Sequence, residues 1–355
     1  MDSIIYDLWL SLKVGTNTSY CRDLLEEYET AENVYNQTFE ENNVLSDKDL
    51  TDAENEYKKC IDEKVCLLAY TDELYPQNLK DSENPPLVLY CKGNINLLKR
   101  PLITVAGSKK CSQEGKINVK RFVSSLYNSG IVPVTPFSIG IEAEVARSVD
   151  ECIAVIPCGI DKTYPAKHYS LKNKLISGGG LVISAQPMST PALGYNIVSR
   201  NHLVAALSDC SFVVEAGENS GTAIIFNKCL EYSKRCFVIP GSINSPFYAG
   251  NNSYLKKGAT AVTQPEDIIN FYTVMYPEII NNNIETVCND IVWTEDDEHY
   301  SNSENAVMKA LSGNRLSYDE LVEKSKLSAP EAASAITTLE MMSVIENIGG
   351  IFAVK

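Results

Sequence analysis

Between Leu102 and Ile239, short runs that are apolar at nearly every position recur at Leu102 to Ala106, Ile131 to Val134, Ile153 to Ile156, Leu181 to Ser184, Phe212 to Ala216 and Cys236 to Ile239. A strand with one wet face alternates apolar and polar side chains, so runs without alternation predict strands covered on both faces. Amphipathic segments separate them, at Glu114 to Tyr127, Ile141 to Val149, Lys167 to Ile176, Asn201 to Leu207 and Ala223 to Tyr232. Strand and helix in alternation predict a doubly wound, mostly parallel α/β sheet that binds ligands outside the carboxyl ends of its strands. Gly178-Gly179-Gly180 is most simply a helix C-cap and turn, not a cofactor loop.

The flanks have a different character. Leu8, Leu12, Leu24, Leu25, Tyr28, Val34 and Tyr35 recur at helix spacing, which predicts a small helical domain over residues 1–66, with a polar acidic stretch between Glu40 and Glu56. Its single Gly15 argues against a helix-hairpin-helix that touches DNA directly. The prolines of Tyr75-Pro76 and Asn84-Pro85-Pro86 bracket a short strand, Leu87 to Cys91, leading into a core over residues 67–275. An acidic linker, Glu295-Asp296-Asp297-Glu298 at its centre, is expected over residues 276–302. Residues 303–355 then carry helices at Asn305 to Leu311, Tyr318 to Ser325 and Ala329 to Met342, and a hairpin from Val344 to Val354 turning at Gly349-Gly350. That order is winged-helix-like. Its third helix has no Lys or Arg, so it cannot neutralise phosphates, and a protein-contact or dimer role is expected instead.

A net charge of −15 argues against a polyanion ligand until it is divided along the chain. Residues 1–98 carry 8 Lys/Arg against 20 Asp/Glu, residues 99–273 carry 18 against 12, and residues 274–355 carry 5 against 14. A cationic middle between anionic ends can hold a polyanion locally. The N-terminal apolar residues are broken by Asp2, Asp7 and Lys13, which fits neither a signal peptide nor a membrane span, so a cytoplasmic protein is expected. Eleven cysteines without a C-x-x-C pair fit reduced, buried thiols, and the three histidines offer no metal-ligand spacing. No metal or cofactor is expected.

The candidate chemistry is an anion site. The run Phe212 to Ala216 stops at Gly217 and a helix restarts at Thr222, so the amides of Ser220-Gly221-Thr222 should be open to a phosphate. Arg200, beside Asn201, could clamp the same anion through parallel N–H bonds. Four loops should converge on one sheet edge: Gly107-Ser108-Lys109-Lys110, the Phe137 to Glu142 loop with Gly140, the Pro157 to Asp161 loop with Gly159, and a fourth with Arg200-Asn201 and Ser220-Gly221-Thr222. Lys116, Lys120 and Arg121, with Lys256 and Lys257, would extend the basic track.

In this order these segments resemble the DNA-processing protein A (DprA, also called Smf) family over about Leu74 to Ala261. The matches are Tyr75-Pro76, Pro85-Pro86, Tyr90 with Lys92-Gly93-Asn94, Cys158-Gly159-Ile160-Asp161 with Tyr164-Pro165, Arg200-Asn201, Ser220-Gly221, Pro240-Gly241, Gly250-Asn251 and Gly258-Ala259. The resemblance implies a Rossmann-like core that binds single-stranded DNA, forms a homodimer and hands the strand to the RecA recombinase in natural transformation. The chain departs from the family pattern at Lys109, where the family usually has arginine, and at Thr135-Pro136, Glu142, Ala146, Ala185 and His202. The resemblance is therefore to a divergent member, and Pro136, lacking an N–H, would remove part of an anion nest.

Two other functions fit the same core. A nucleoside-monophosphate phosphoribohydrolase would need a carboxylate where this chain has Ile225, so an enzyme is not expected. A nucleotide-binding sensor module would use the same phosphate loops.

Overall fold

The structure, a computed structural model, describes residues 2–15, 18–218, 220–280, 301–311, 314, 316–341, 344–348 and 350–354. The expected linker at 276–302 lies mostly outside them, as do Gly349 of the hairpin turn and Met342 at the end of the third C-terminal helix. Residues 1–280 form one compact unit and residues 281–355 another.

The first unit is built on nine strands: β1 Cys66–Ala69, β2 Val88–Gly93, β3 Leu102–Ala106, β4 Val132–Thr135, β5 Ile153–Val155, β6 Leu181–Ser184, β7 Cys210–Val213, β8 Cys236–Val238 and β9 Thr260–Ala261. Their order is β1-β2-β6-β5-β4-β3-β7-β8-β9. From β6 to β9 all pairs are parallel, whereas β2 runs antiparallel to β6 and β1 antiparallel to β2. The fold is therefore the mainly parallel α/β sheet that the non-alternating runs predicted. Both faces are covered, which is why the strands could be apolar throughout.

On one face α6 (Gln113–Asn128), α7 (Ile141–Ser148) and α12 (Glu266–Met275) pack Val119, Phe122, Ile141, Val145 and Tyr272 against Ile103, Val105, Phe212 and Phe237. The Phe122 and Phe212 rings stack with centroids 4.8 Å apart. On the other face α9 (Gly194–Leu207) lays Leu203, Val204 and Leu207 on Leu102, Val132, Val134 and Val155. Each such side chain stabilises the fold by roughly 1.5–3 kcal/mol before conformational entropy is subtracted. Between α8 (Tyr169–Ser177) and β6, Gly179 has φ +95° and Gly180 N–H donates to Leu175 O at 2.8 Å, so the glycine triplet is a turn.

The helical segment comprises α1 (Ile4–Val14), α2 (Thr18–Tyr28), α3 (Ala31–Tyr35) and α4 (Thr51–Asp62). Helix α4 lies partly within the stretch that looked merely polar, because it buries only Ala53, Glu56 and Cys60. These helices share an apolar core with β2, β5 and β6, where Trp9, Leu10 and Leu45 cluster with Val88, Tyr90, Ala154 and Val182. Buried Glu56 fastens the two parts by accepting the Met188 amide at 2.5 Å.

The second unit has helices α13 (Asn302–Leu311), α14 (Tyr318–Ser325) and α15 (Ala329–Met341), with strands β10 (Leu316–Ser317), β11 (Ile345–Ile348) and β12 (Ile351–Val354) in the order β10-β12-β11. Ser317 and Glu320 form a capping box that starts α14. Two-residue β10 carries no periodicity and was not expected from the sequence; it closes a three-stranded wing. The core is Val307, Met308, Leu311, Leu321, Leu339 and Phe352. No helix among the described residues is long and apolar enough to cross a membrane. Ten described cysteines are free thiols, and no described group of three His, Cys, Asp or Glu is placed to hold a metal.

Candidate nucleic-acid interface

Strand β3 is where the sheet changes direction, since the chain builds outward through β4, β5 and β6 on one side and through β7, β8 and β9 on the other. Loops leaving the carboxyl ends of β3 and β7 therefore diverge and leave a crevice. A cleft of about 650 Å³ opens there. Gly107, Ser108, Lys109 and Lys110 line it after β3, Ser138 and Glu142 after β4, Arg200 and Asn201 from α9, Ser220, Gly221 and Thr222 after β7, and Pro246 and Phe247 after β8.

Gly140, Gly159 and Lys257 do not line this cleft. Gly140 caps α7 behind the β3 loop, with φ +81°. Gly159 packs against Pro187 and Ser189, and its amide donates to Thr190 O at 2.9 Å. Helix α11 (Ala249–Lys256) starts beside the cleft, where Gly250 N–H donates to Ala216 O at 2.7 Å. It then runs away for two turns, roughly 12 Å, and carries exposed Lys256 and Lys257 off with it.

Arg200 is positioned differently from the sequence expectation. Helix α9 begins at Gly194, so Arg200 and Asn201 stand in mid-helix, not in a loop. Exposed Tyr195 and Val198 blur the amphipathic pattern there, which hid the first two turns. The Arg200 residue is only 6 % exposed; its Nε–H donates to Asn201 Oδ1 at 3.0 Å and Nη1–H to Val155 O at 3.2 Å. Those bonds commit two of the five guanidinium N–H groups and hold the side chain in place beside the cleft. Glu215 is not its partner either. That fully buried carboxylate accepts Ser112 N–H at 2.9 Å and the Ser112 hydroxyl, which holds the start of α6.

The amides after β7 are also less open than the sequence implied. Ser220 N–H bonds Gly217 O at 3.3 Å, Thr222 N–H bonds Ser220 Oγ at 3.3 Å, and Ala223 N–H bonds Ser220 O at 3.0 Å. The Ser220 hydroxyl folds back onto the Thr222 amide in a local turn, a competition that serine side chains favour. The β3 and β7 loops are stitched together, with Ser108 N–H donating to Glu215 O at 2.7 Å and Ser108 Oγ accepting Gly217 N–H at 3.0 Å. Lys109 and Lys110, by contrast, are exposed and make no ion pair among the described residues.

Glu142, Ile197, Pro246 and Phe247 are cleft residues that were not among the expected site residues. The signal for the last two was present, since Pro246-Phe247 follows the carboxyl end of β8, next to β7. Glu142 was legible as the end of the second loop, but nothing local marked it as buried in the cleft wall. Its residue is 7 % exposed and its Oε2 accepts the Ser138 amide at 3.0 Å, so the second loop already holds an acid of its own. Burial pushes the Glu142 carboxyl up to about 7, and the positive charges of Arg200 and Lys109 oppose that rise only in part. A carboxyl raised in the folded state stabilises most below its ordinary range, and that stability is lost as pH climbs from about 4.5 through 7. Glu142→Gln, which can still accept the Ser138 amide, should remove a pH dependence worth roughly 3 kcal/mol over that window. Urea midpoints at pH 5, 6, 7 and 8 measure it, and parallel curves for both proteins would contradict it.

The profile of the DNA recombination-mediator protein A family matches residues 66–273, and that of the DprA winged helix domain matches residues 295–350. The chain belongs to the DNA recombination-mediator protein A family. Protein Smf of Escherichia coli is 29 % identical over 224 residues, which are 60 % of this chain and 60 % of Smf, so the match spans well under the whole of that relative. The crystal structure of DNA processing protein A from Streptococcus pneumoniae superposes with a TM-score of 0.63 at 26 % identity, covering 75 % of this chain and 97 % of that one. DNA processing protein A from Helicobacter pylori, described for its single-stranded DNA binding mode, superposes with a TM-score of 0.55 at 25 % identity, covering 60 % of this chain and 97 % of that one. The second unit is thus the winged helix domain of a family member.

Proposed function

We propose that the switch-point cleft binds single-stranded DNA by its backbone and that this cytoplasmic protein, as a homodimer, passes the strand to a RecA-type recombinase without catalysing a reaction. The observation that carries the reading is the convergence of unpaired Lys109 and Lys110 with the buried charge of Arg200 on one cleft. Exposed ammonium groups meet phosphates without reading bases, and the apolar side chains of Ile197 and Phe247 give bases a surface to lie on. The Helicobacter pylori relative, described as binding single strands, supports the same ligand class. Ile225, 1 % exposed against Ala106 and Ala205, occupies the place where a phosphoribohydrolase would need its carboxylate, which favours a binding role over catalysis.

Fluorescence anisotropy with labelled oligo(dT) over a salt series tests this. A strand crossing several phosphates loses affinity steeply with salt, by a slope of about −0.7 per phosphate contacted. Lys109→Ala with Lys110→Ala should flatten that slope by about 1.4 and weaken every oligonucleotide sequence alike. A shallow slope with tight AMP binding would favour the nucleotide-sensor reading, and no oligo(dT) binding at low salt would end the strand proposal. Sedimentation of the full chain, with and without the recombinase, reads the two partner contacts separately.

A further inference from the structure

A second cavity, about 440 Å³, lies where α1, α3 and α4 meet the edge strand β1, and it shares no residue with the cleft. Its wall holds the carboxylates of Asp2, Asp7, Glu32 and Asp72 and no Lys, Arg or His. Two of these acids already have partners. Asp2 Oδ2 accepts the Tyr57 hydroxyl at 2.6 Å, and Asp72 Oδ2 accepts the Ala69 amide at 2.7 Å.

Asp7 is different. The residue is 7 % exposed, in the first turns of α1, yet its carboxylate meets no donor beyond its own backbone amide and no counter-charge among the described residues. A buried carboxylate left in that state must take a proton or a cation. Ile4, Val65 and Leu67 line the same cavity, and such apolar walls suit the methylene stem that carries an ammonium or guanidinium head.

We infer that this cavity is a binding site for one ammonium or guanidinium group, carried by a free alkylamine or by a basic side chain of a peptide. Asp7 is the primary ligand and Asp72 the second. Burial, and after it the charge of Asp72, hold the Asp7 carboxyl up at about 7. The titratable groups that line the cavity with Asp7 are Asp2, Glu32, Tyr57, Cys66 and Asp72, none of them cationic, and the charge of Asp72 acts on Asp7 directly. Proton and cation therefore compete for one carboxylate.

The test uses the full chain, with n-butylguanidine as the cation, n-butylurea as its neutral isostere, and acetyl-Gly-Arg-Gly-amide as the peptide probe. Calorimetry should show butylguanidine binding with affinity rising about tenfold from pH 6 to pH 8, with proton release near pH 7. Tighter binding of the tripeptide identifies a polypeptide source, and tighter binding of butylguanidine identifies a free amine. Asp7→Asn should abolish binding while oligo(dT) binding stays unchanged, and Asp72→Asn gives a second, weakened variant should the first not fold. Equal binding of butylurea, no binding of either cation at pH 8, or full binding by either variant overturns the inference.

Discussion

Arg200→Ala is expected to abolish oligo(dT) binding and to lower the unfolding free energy by about 2–4 kcal/mol. The stability loss follows from how the side chain is held. Truncation removes the donors to Asn201 Oδ1 and Val155 O and leaves a void at a position that is 6 % exposed. It also takes away the positive charge that acts more strongly on buried Glu142 than Lys109 does. The double variant Arg200→Ala with Glu142→Gln should recover part of the stability without recovering binding, because the uncompensated acid is gone but the cation is not restored. Lys109→Ala, at an exposed position, should weaken binding and leave stability alone. Urea unfolding and anisotropy on the same four proteins separate the effects, and unchanged oligo(dT) affinity in Arg200→Ala would remove the cleft from consideration.

The second large effect is expected at Gly140→Ala. At φ +81° this residue lies where side chains are strained, and an added Cβ would stand 2.3 Å from Ser108 O and 2.4 Å from Lys109 O. Both neighbours are backbone atoms, so the β3 loop itself must move and its Ile141 N–H to Ser108 O bond of 3.2 Å must break. Strain and overpacking together should cost about 3 kcal/mol or more, and Lys109 should leave the cleft wall. Gly221→Ala is the control. Gly221 has φ −59° with nothing within 4 Å of an added Cβ, so the change should be neutral or stabilise by a few tenths of a kcal/mol. If thermal melting shows the two variants equally stable, the coupling between the loops is not what the geometry implies.

Much of the fold was legible because periodicity is a local property. Leu102–Ala106 and Leu181–Ser184 were recognisable as doubly covered strands to the residue, and Gly178-Gly179-Gly180 as a turn. The failures share a cause. Helix α9 was shortened to Asn201 because Tyr195 and Val198 face solvent and broke the apolar stripe, and α4 was hidden because so few of its residues are buried. In each case the first turns bury too few apolar side chains to leave a periodic signal. The candidate site was legible as a set of loops but not as a set of contacts. Gly159 and Lys257 looked equivalent to Ser108 and Lys109 in the sequence, and only the direction of the chain after each strand separates them.

The sequence alone determined that the central chain would form a parallel sheet with covered faces, that its loops would gather at the carboxyl ends, and that the family motifs would follow in order. Those outcomes depend on dihedral preferences and on side-chain spacing within one element. Tertiary structure alone decided that Arg200 would be anchored by two N–H bonds, to Asn201 and Val155, that the Glu142 carboxyl in the cleft would be pushed up to about 7, and that Asp7 would face a cavity without a counter-charge. Burial and charge coupling arise between residues far apart in the chain, as between Ser112 and Glu215, 103 positions away. No local pattern encodes such a distance, because the dielectric around a charge is set by whatever the rest of the chain packs against it.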